Sequence, residues 1–276
     1  QLPGVPGALR EFAAPVQNVV YADTLGNIGY SFAGKVPIRA QGDGRVPVPG
    51  WTGEHEWTGY IPFEELPHLD NPPQGYIATA NNRVVRDDYP YFLGADYATG
   101  DRAQRIVELI EAGGKIDIAY VRAMQLDQVS PLARVIAGHL GCLHVDDPQL
   151  ASVVEIMRRW DGTVAADSPA AAVHEVFGIR LIRLALSARL GPLVERYAGK
   201  GPTPGLAEGS FFGQRSWEWL QKTLARPDSH WFDLGHGERR DEVMRLALRE
   251  TVDCLKEQLG PTSADWAWGK LHQLRF

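Results

Sequence analysis

Asn81 and Asn82 place two side-chain amides at the end of a short apolar run, and they are the residues best suited to stabilise a developing negative charge. Acyl-transfer chemistry needs hydrogen-bond donors aimed where a tetrahedral intermediate gathers its oxyanion. An asparagine Nδ2 is such a donor, being neutral, planar and held close to the backbone. Two asparagines after a strand are also ordinary turn chemistry, because Asn tolerates the left-handed region. By their local chemistry these residues read as a turn, and the donor role is the alternative. Arg102 and Arg105 follow Asp101 in the first turn of a helical pattern, where the helix dipole disfavours cations. A solvent-facing pair is the default reading, and a specific partner is expected for one of them.

Other constellations carry less. His139 followed by Cys142-Leu143-His144-Val145-Asp146-Asp147 offers ligand types that zinc accepts. The segment lies between two helical patterns and Asp147 is placed to cap the second, so no metal ligand is assigned; a metal protein using Cys142 and His144 stays as an outside reading. His55 between Glu54 and Glu56 reads as solvated charge. No glycine-rich phosphate loop, paired-carboxylate signature or serine-centred elbow is present.

The elements that must position these groups change character near residue 98. Val16 to Ala22 and Ile28 to Ala33 are β-type runs around the turn-rich Asp23-Thr24-Leu25-Gly26-Asn27, and they read as a hairpin. Pro47-Val48-Pro49-Gly50-Trp51 marks a long loop barred from a central strand. Gly75 to Ala80 is expected to be a further short strand. Beyond residue 98, Ala103, Ile106, Val107 and Ile110 share a helix face that Gly113-Gly114 ends. Asp147-Pro148 and Ser168-Pro169 open two more helices. Met244, Leu248, Val252, Leu255 and Leu259 make a last helical stripe, stopped by Gly260-Pro261. Gly201 to Ser210 reads as a loop and Leu271 to Phe276 as a final strand. These patterns predict an α+β protein, one domain over 1–276, β-rich over 1–97 and helix-rich over 98–276.

The 276 residues are 44% hydrophobic and 22% charged, values of an ordinary globular domain. A formal net charge of −6 argues against a nucleic-acid partner, which calls for a basic face. No apolar run reaches the length of a membrane span. Cys142 and Cys254 fit neither a disulfide framework nor a paired zinc motif, and both are expected to be buried free thiols in helical stretches. Gln1-Leu2-Pro3-Gly4 has no methionine, basic n-region or hydrophobic h-region, which reads as a chain whose true beginning lies elsewhere.

Taken together, ordered segments of the chain resemble the β chain of penicillin acylases. They are Pro15-Val16-Gln17-Asn18-Val19-Val20-Tyr21-Ala22-Asp23, Gly26-Asn27-Ile28-Gly29-Tyr30, Pro47-Val48-Pro49-Gly50-Trp51 and Thr79-Ala80-Asn81-Asn82-Arg83-Val84-Val85. Asp88-Tyr89-Pro90, Gly100-Asp101-Arg102-Ala103, Trp160-Asp161-Gly162 and Trp268-Gly269-Lys270-Leu271-His272 extend the likeness over nearly the whole length.

The resemblance implies part of a four-layer αββα N-terminal nucleophile hydrolase fold, cut from a precursor into α and β chains. It implies hydrolysis of penicillin-like, N-acyl homoserine lactone or related N-acyl amides through an acyl-enzyme. By the same resemblance Asn81 is the oxyanion donor and Arg102 its electrostatic support, with Arg105 as fallback. Gln17 falls in the acyl pocket, where a polar amide replaces an apolar residue and makes a simple phenylacetyl preference unexpected. The nucleophile lies upstream of the matched motifs, so the chain is expected to be a middle segment, silent by itself. Its partners would be the α chain and remaining β-chain segments of the precursor, with a small N-acyl substrate and neither nucleic acid nor membrane. The resemblance also suggests a periplasmic or secreted compartment. No cofactor is evident; calcium occurs in such enzymes, and its ligands are not recognisable here. A non-catalytic binding or structural remnant of the fold is the competing reading.

Overall fold

The computed structural model describes residues 4–198 and 212–273. They fall into two compact units, residues 1–103 and 104–276, and the division lies close to the compositional change at residue 98.

In the first unit a short helix α1 (Gly4–Leu9) precedes strands β1 (Gln17–Ala22) and β2 (Ile28–Ala33). These pair antiparallel from Gln17 opposite Ala33 to Ala22 opposite Ile28, the expected hairpin. Its turn is built by Asp23, whose Oδ1 accepts from the N–H groups of Leu25 and Asn27 at 2.9 Å. Gly26 supplies the required positive φ of 85°. Strands β3 (Pro37–Arg39) and β4 (Trp57–Tyr60) form a separate two-stranded ribbon, and β5 (His68–Asp70) adds to the other side of β2. Tyr30, Phe32, Val36, Ile61 and Leu66 make the buried cluster of this unit, with Ile77, Val84, Tyr91 and Leu93 packed on it.

Gly75 to Ala80 is not a strand. The segment runs without ladder partners because Gly75 turns it at φ 75° and Asn82 Oδ1 takes the Ala80 N–H at 3.1 Å. Ile77 still reaches the apolar cluster, so the burial that suggested a strand is met without one.

Helix α2 (Asp101–Ala112) joins the helical unit, which continues with α3 (Ile118–Gln125), α4 (Pro131–Gly141), α5 (Pro148–Arg158), α6 (Pro169–Leu190), α7 (Val194–Ala198), α8 (Phe212–Leu224), α9 (Arg240–Leu259) and α10 (Trp268–Leu271). Three of them start alike. Ser130, Asp147 and Ser168 accept backbone N–H bonds from the first turn, and Pro131, Pro148 and Pro169 follow them. The caps supply acceptors for N–H groups that the helix leaves without partners, and proline occupies a position that donates nothing. Gly260, at φ 99°, ends α9, and its carbonyl accepts from the buried Trp266 indole at 2.9 Å. Leu271 closes α10 rather than opening a strand, because the His272 N–H bonds to the Trp268 carbonyl. Residues 274–276 and the expected loop at 201–210 lie outside the described residues.

Helix α6 is the axis of this unit. Val173, Phe177, Leu181, Ala185 and Leu186 are buried, and α9 packs Met244, Leu248, Val252 and Leu255 alongside. Gly178 permits a close approach: a Cβ there would stand 2.2 Å from the Trp217 ring. His174, 3% exposed, lies between the rings of Trp160 and Trp217 at 5.5 and 5.3 Å. Burial pushes its pKa down to about 3, so the imidazole is neutral in the fold. Neither cysteine is buried as expected. Cys142 is the exposed C-cap residue of α4, beyond its last apolar position, and Cys254 is half-buried on α9.

Gly178→Ala sets helix propensity, a gain of about 1 kcal/mol, against overpacking that costs about 1–3 kcal/mol. A ring at 2.2 Å makes overpacking prevail, so urea unfolding should show lower stability; a higher midpoint would contradict the Trp217 packing. For His174 the folded pKa lies below the unfolded value near 6.5. Its contribution is therefore present above pH 6.5 and lost as pH falls towards 3, at most about 1.4 kcal/mol per pH unit. Unfolding free energies at pH 7, 5 and 4 should show a smaller acid loss for His174→Phe than for the parent chain.

Candidate functional site

The site is built where the loop after β5 meets the first turn of α2. Asn81 adopts φ 63°, the left-handed conformation expected of the pair. Two tethers hold it there. The Ala98 N–H donates to the Asn81 carbonyl at 2.8 Å, and Asn82 turns back to the Ala80 N–H. Beyond, Arg83 pairs with Asp87 and donates to the Arg86 carbonyl, while Tyr89 donates to the Glu65 carbonyl at 2.8 Å. The loop is thus stitched to itself and to the segment before β5 by polar contacts.

Arg102 supplies the decisive contact. Its Nη2 donates to the Ala80 carbonyl at 2.7 Å and to Asn81 Oδ1 at 2.8 Å. A guanidinium can only donate, so the Asn81 oxygen must face it and Nδ2 must face away. This fixes an amide orientation that is otherwise ambiguous. Asn81 is exposed, and among the described residues its Nδ2 has no hydrogen-bond partner. The two acceptors also explain a cation in the first helical turn, because carbonyl dipoles offset the unfavourable end of the helix. Thr79, two residues earlier, carries a buried Oγ1 with no partner among the described residues. No local pattern in the sequence singled it out.

Arg105 has a different task. It makes a two-pronged contact with Asp127, Nε to Oδ2 and Nη2 to Oδ1 both at 2.8 Å, and Nη1 reaches Glu108 at 3.2 Å. Both partners are mostly buried, at 20% and 19% side-chain exposure. The Arg105 hydrogen bonds hold the Asp127 carboxyl below its ordinary pKa. Of the two arginines, Arg102 is therefore the one brought to Asn81, and Arg105 is a structural tie. Gln17 begins β1 opposite Ala33 and is exposed.

Among the described residues no three His, Cys, Asp or Glu side chains converge as a metal group would need. His144 lies 3.4 Å from Asp146, both fully in solvent, and Asp147 spends its carboxylate on the α5 cap. Calcium, a hard cation that takes six to eight oxygens, finds no carboxylate cluster of this kind there. His55 Nδ1 contacts the Gln41 carbonyl at 3.3 Å and converges on no ion.

The sequence matches the penicillin amidase family over residues 4–276, and the chain belongs to that family. It is 35% identical to penicillin acylase 2 proenzyme of Pseudomonas sp. strain SE83 over 98% of its own length and 33% of that protein's. It is 30% identical to the acyl-homoserine lactone acylase QuiP of Pseudomonas fluorescens strain Pf-5, over 98% of this chain and 34% of the relative. Penicillin G acylase of Escherichia coli is 30% identical over 90% of this chain and 32% of its own. The chain thus spans about a third of the length of these curated relatives. A solved thermostable penicillin G acylase from Alcaligenes faecalis superposes with a TM-score of 0.70 at 25% identity, covering 96% of this chain and 50% of that one. The α+β class and the placement within an N-terminal nucleophile hydrolase fold follow from this likeness.

The two arginines should separate in stability measurements. Arg105→Ala leaves the Asp127 carboxylate without its charged partner, at a cost of about 1.5–3 kcal/mol. Arg102→Ala, exposed in the first turn of α2 and bonded to neutral acceptors, should cost less than about 1 kcal/mol. Denaturant midpoints of the two variants check this order.

Proposed function

We propose that this chain supplies the oxyanion-stabilising part of an acylase that hydrolyses N-acyl amides, with Asn81 as the donor. The observation that carries the reading is the Arg102 contact, which takes up Asn81 Oδ1 and leaves Nδ2, without a partner among the described residues, as a donor on an exposed side chain. The nucleophile in this proposal is an N-terminal hydroxyl outside these 276 residues, contributed by another segment of the same precursor. That hydroxyl attacks the amide carbonyl carbon and passes its proton to the free α-amino group beside it. The carbonyl oxygen takes the negative charge, and Asn81 Nδ2 donates to it. Collapse of the intermediate expels the amine, which takes up the proton, and water then releases the acid from the ester.

Arg102 acts through Asn81 as a positioning residue. Its charge polarises the amide and so strengthens Nδ2 as a donor. Gln17 is proposed as the polar element of the acyl pocket. The substrate reading, penicillin-like amides or N-acyl homoserine lactones, is supported by the relatives' names, and export to the periplasm or outside the cell belongs to the same proposal.

Asn81→Gly is the informative variant, because glycine accepts φ 63° without strain and removes only the amide. In the assembled enzyme its turnover of an N-acyl homoserine lactone should fall by about 10²–10³, with little change in thermal midpoint. Unchanged turnover would remove Asn81 from the chemistry. An assembled enzyme with intact Asn81 that hydrolyses no amide would favour the binding remnant instead.

A further inference from the structure

A cavity of about 660 Å³ opens in the helical unit between α7, α8 and the segment after α8, a size within the range of small-molecule sites, about 300–1,000 Å³. Trp219 and Trp231 line it, with ring centroids 5.4 Å apart and planes at 89°. Two indoles so crossed make a corner, in which a flat ring can lie on the face of one wall and turn its edge to the other. His230 extends the second wall, its ring 5.1 Å from Trp231 at 33°. Both indoles are half-buried and pack on the hydrophobic core as well, so the corner is held from behind.

The surrounding backbone is fixed by its own bonds. Thr223 Oγ1 donates to the Trp219 carbonyl at 2.7 Å, and Arg189 Nε donates to the His230 carbonyl at 3.0 Å. The Arg226 N–H donates to the Thr223 carbonyl at 2.9 Å and the Ser229 N–H to the Arg226 carbonyl at 3.0 Å. The charges around the cavity do not cancel: Arg215, Lys222 and Arg226 stand against Glu218 and Asp228. Glu218 is paired with Lys222, and Asp228 with Arg239, which lies outside the lining. Arg226 is exposed, and its guanidinium has no hydrogen bond or ion pair among the described residues.

We propose that this cavity binds a small aromatic carboxylate, with its ring in the Trp219–Trp231 corner and its carboxylate on Arg226. A guanidinium meets a carboxylate with two parallel hydrogen bonds. The paired carboxylates of the lining leave no unmet negative charge for a cation. One unpaired arginine balances a monoanion, whereas a phosphate dianion would keep a charge unmet beside two indoles. The inference does not depend on the role of Asn81.

The test titrates cinnamate into the 276-residue chain and follows the indole N–H resonances by NMR, assigned with Trp219→Phe and Trp231→Phe. Cinnamate should move the Trp219 and Trp231 signals saturably and leave those of the exposed Trp51 and Trp57 in place. Cinnamamide, the same ring without the charge, should bind about tenfold more weakly. Arg226→Gln should bring cinnamate down to the affinity of cinnamamide and leave cinnamamide unchanged. Because Arg226 is exposed and unpaired, the variant should keep the parent's thermal midpoint. Acetate at equal concentration should leave both indoles unmoved. The proposal fails if cinnamate moves neither indole, or if Arg226→Gln binds it like the parent chain. It fails equally if acetate moves the indoles as far, since the site would then take any anion.

Discussion

A guanidinium group has donors and no acceptor, and the candidate site depends on that asymmetry. Arg102 reaches the Ala80 carbonyl and the Asn81 side-chain oxygen together. One contact anchors the backbone just before the left-handed residue, and the other sets the direction of its amide. Without such a partner, an exposed asparagine could turn either its oxygen or its nitrogen outward, and only the nitrogen is useful to an anion. The loop tethers from Ala98 and Asn82 keep Asn81 at φ 63°, so orientation and position are fixed by separate bonds.

The helical unit spends its polar groups differently. Arg105, one helical turn from Arg102, is drawn to Asp127 in a two-pronged contact, the geometry for which arginine is better suited than lysine. The core around α6 excludes charge so effectively that His174 is held neutral between two indoles. Such a residue adds apolar packing at neutral pH and becomes a liability in acid. The chain belongs to the penicillin amidase family and spans about a third of the length of its curated relatives.

Much of the architecture was legible because its signals are local. Asp147-Pro148 and Ser168-Pro169 announced their helices, since a cap and a fixed φ act within one turn. Ser130-Pro131 carries the same signature and opens α4, and reading it would have found that helix too. The Asp23 to Asn27 turn was equally plain. Errors arose where a local pattern had two outcomes. Gly75 to Ala80 has the apolar content of a strand, yet whether it pairs depends on a neighbour far along the chain. Cys142 lies in an apolar stretch, yet it falls one residue beyond the α4 helix and faces solvent.

By itself the sequence determined the starts of α5 and α6, the ends of α2 and α9, the β1–β2 hairpin and, through ordered motifs, the family. Each of these rests on interactions within a few residues or on an order that survives in the linear text. Only the tertiary structure decided which arginine serves Asn81 and which way its amide points. Those facts depend on contacts twenty-one and twenty-two residues apart, and spacing along the chain does not encode direction in space.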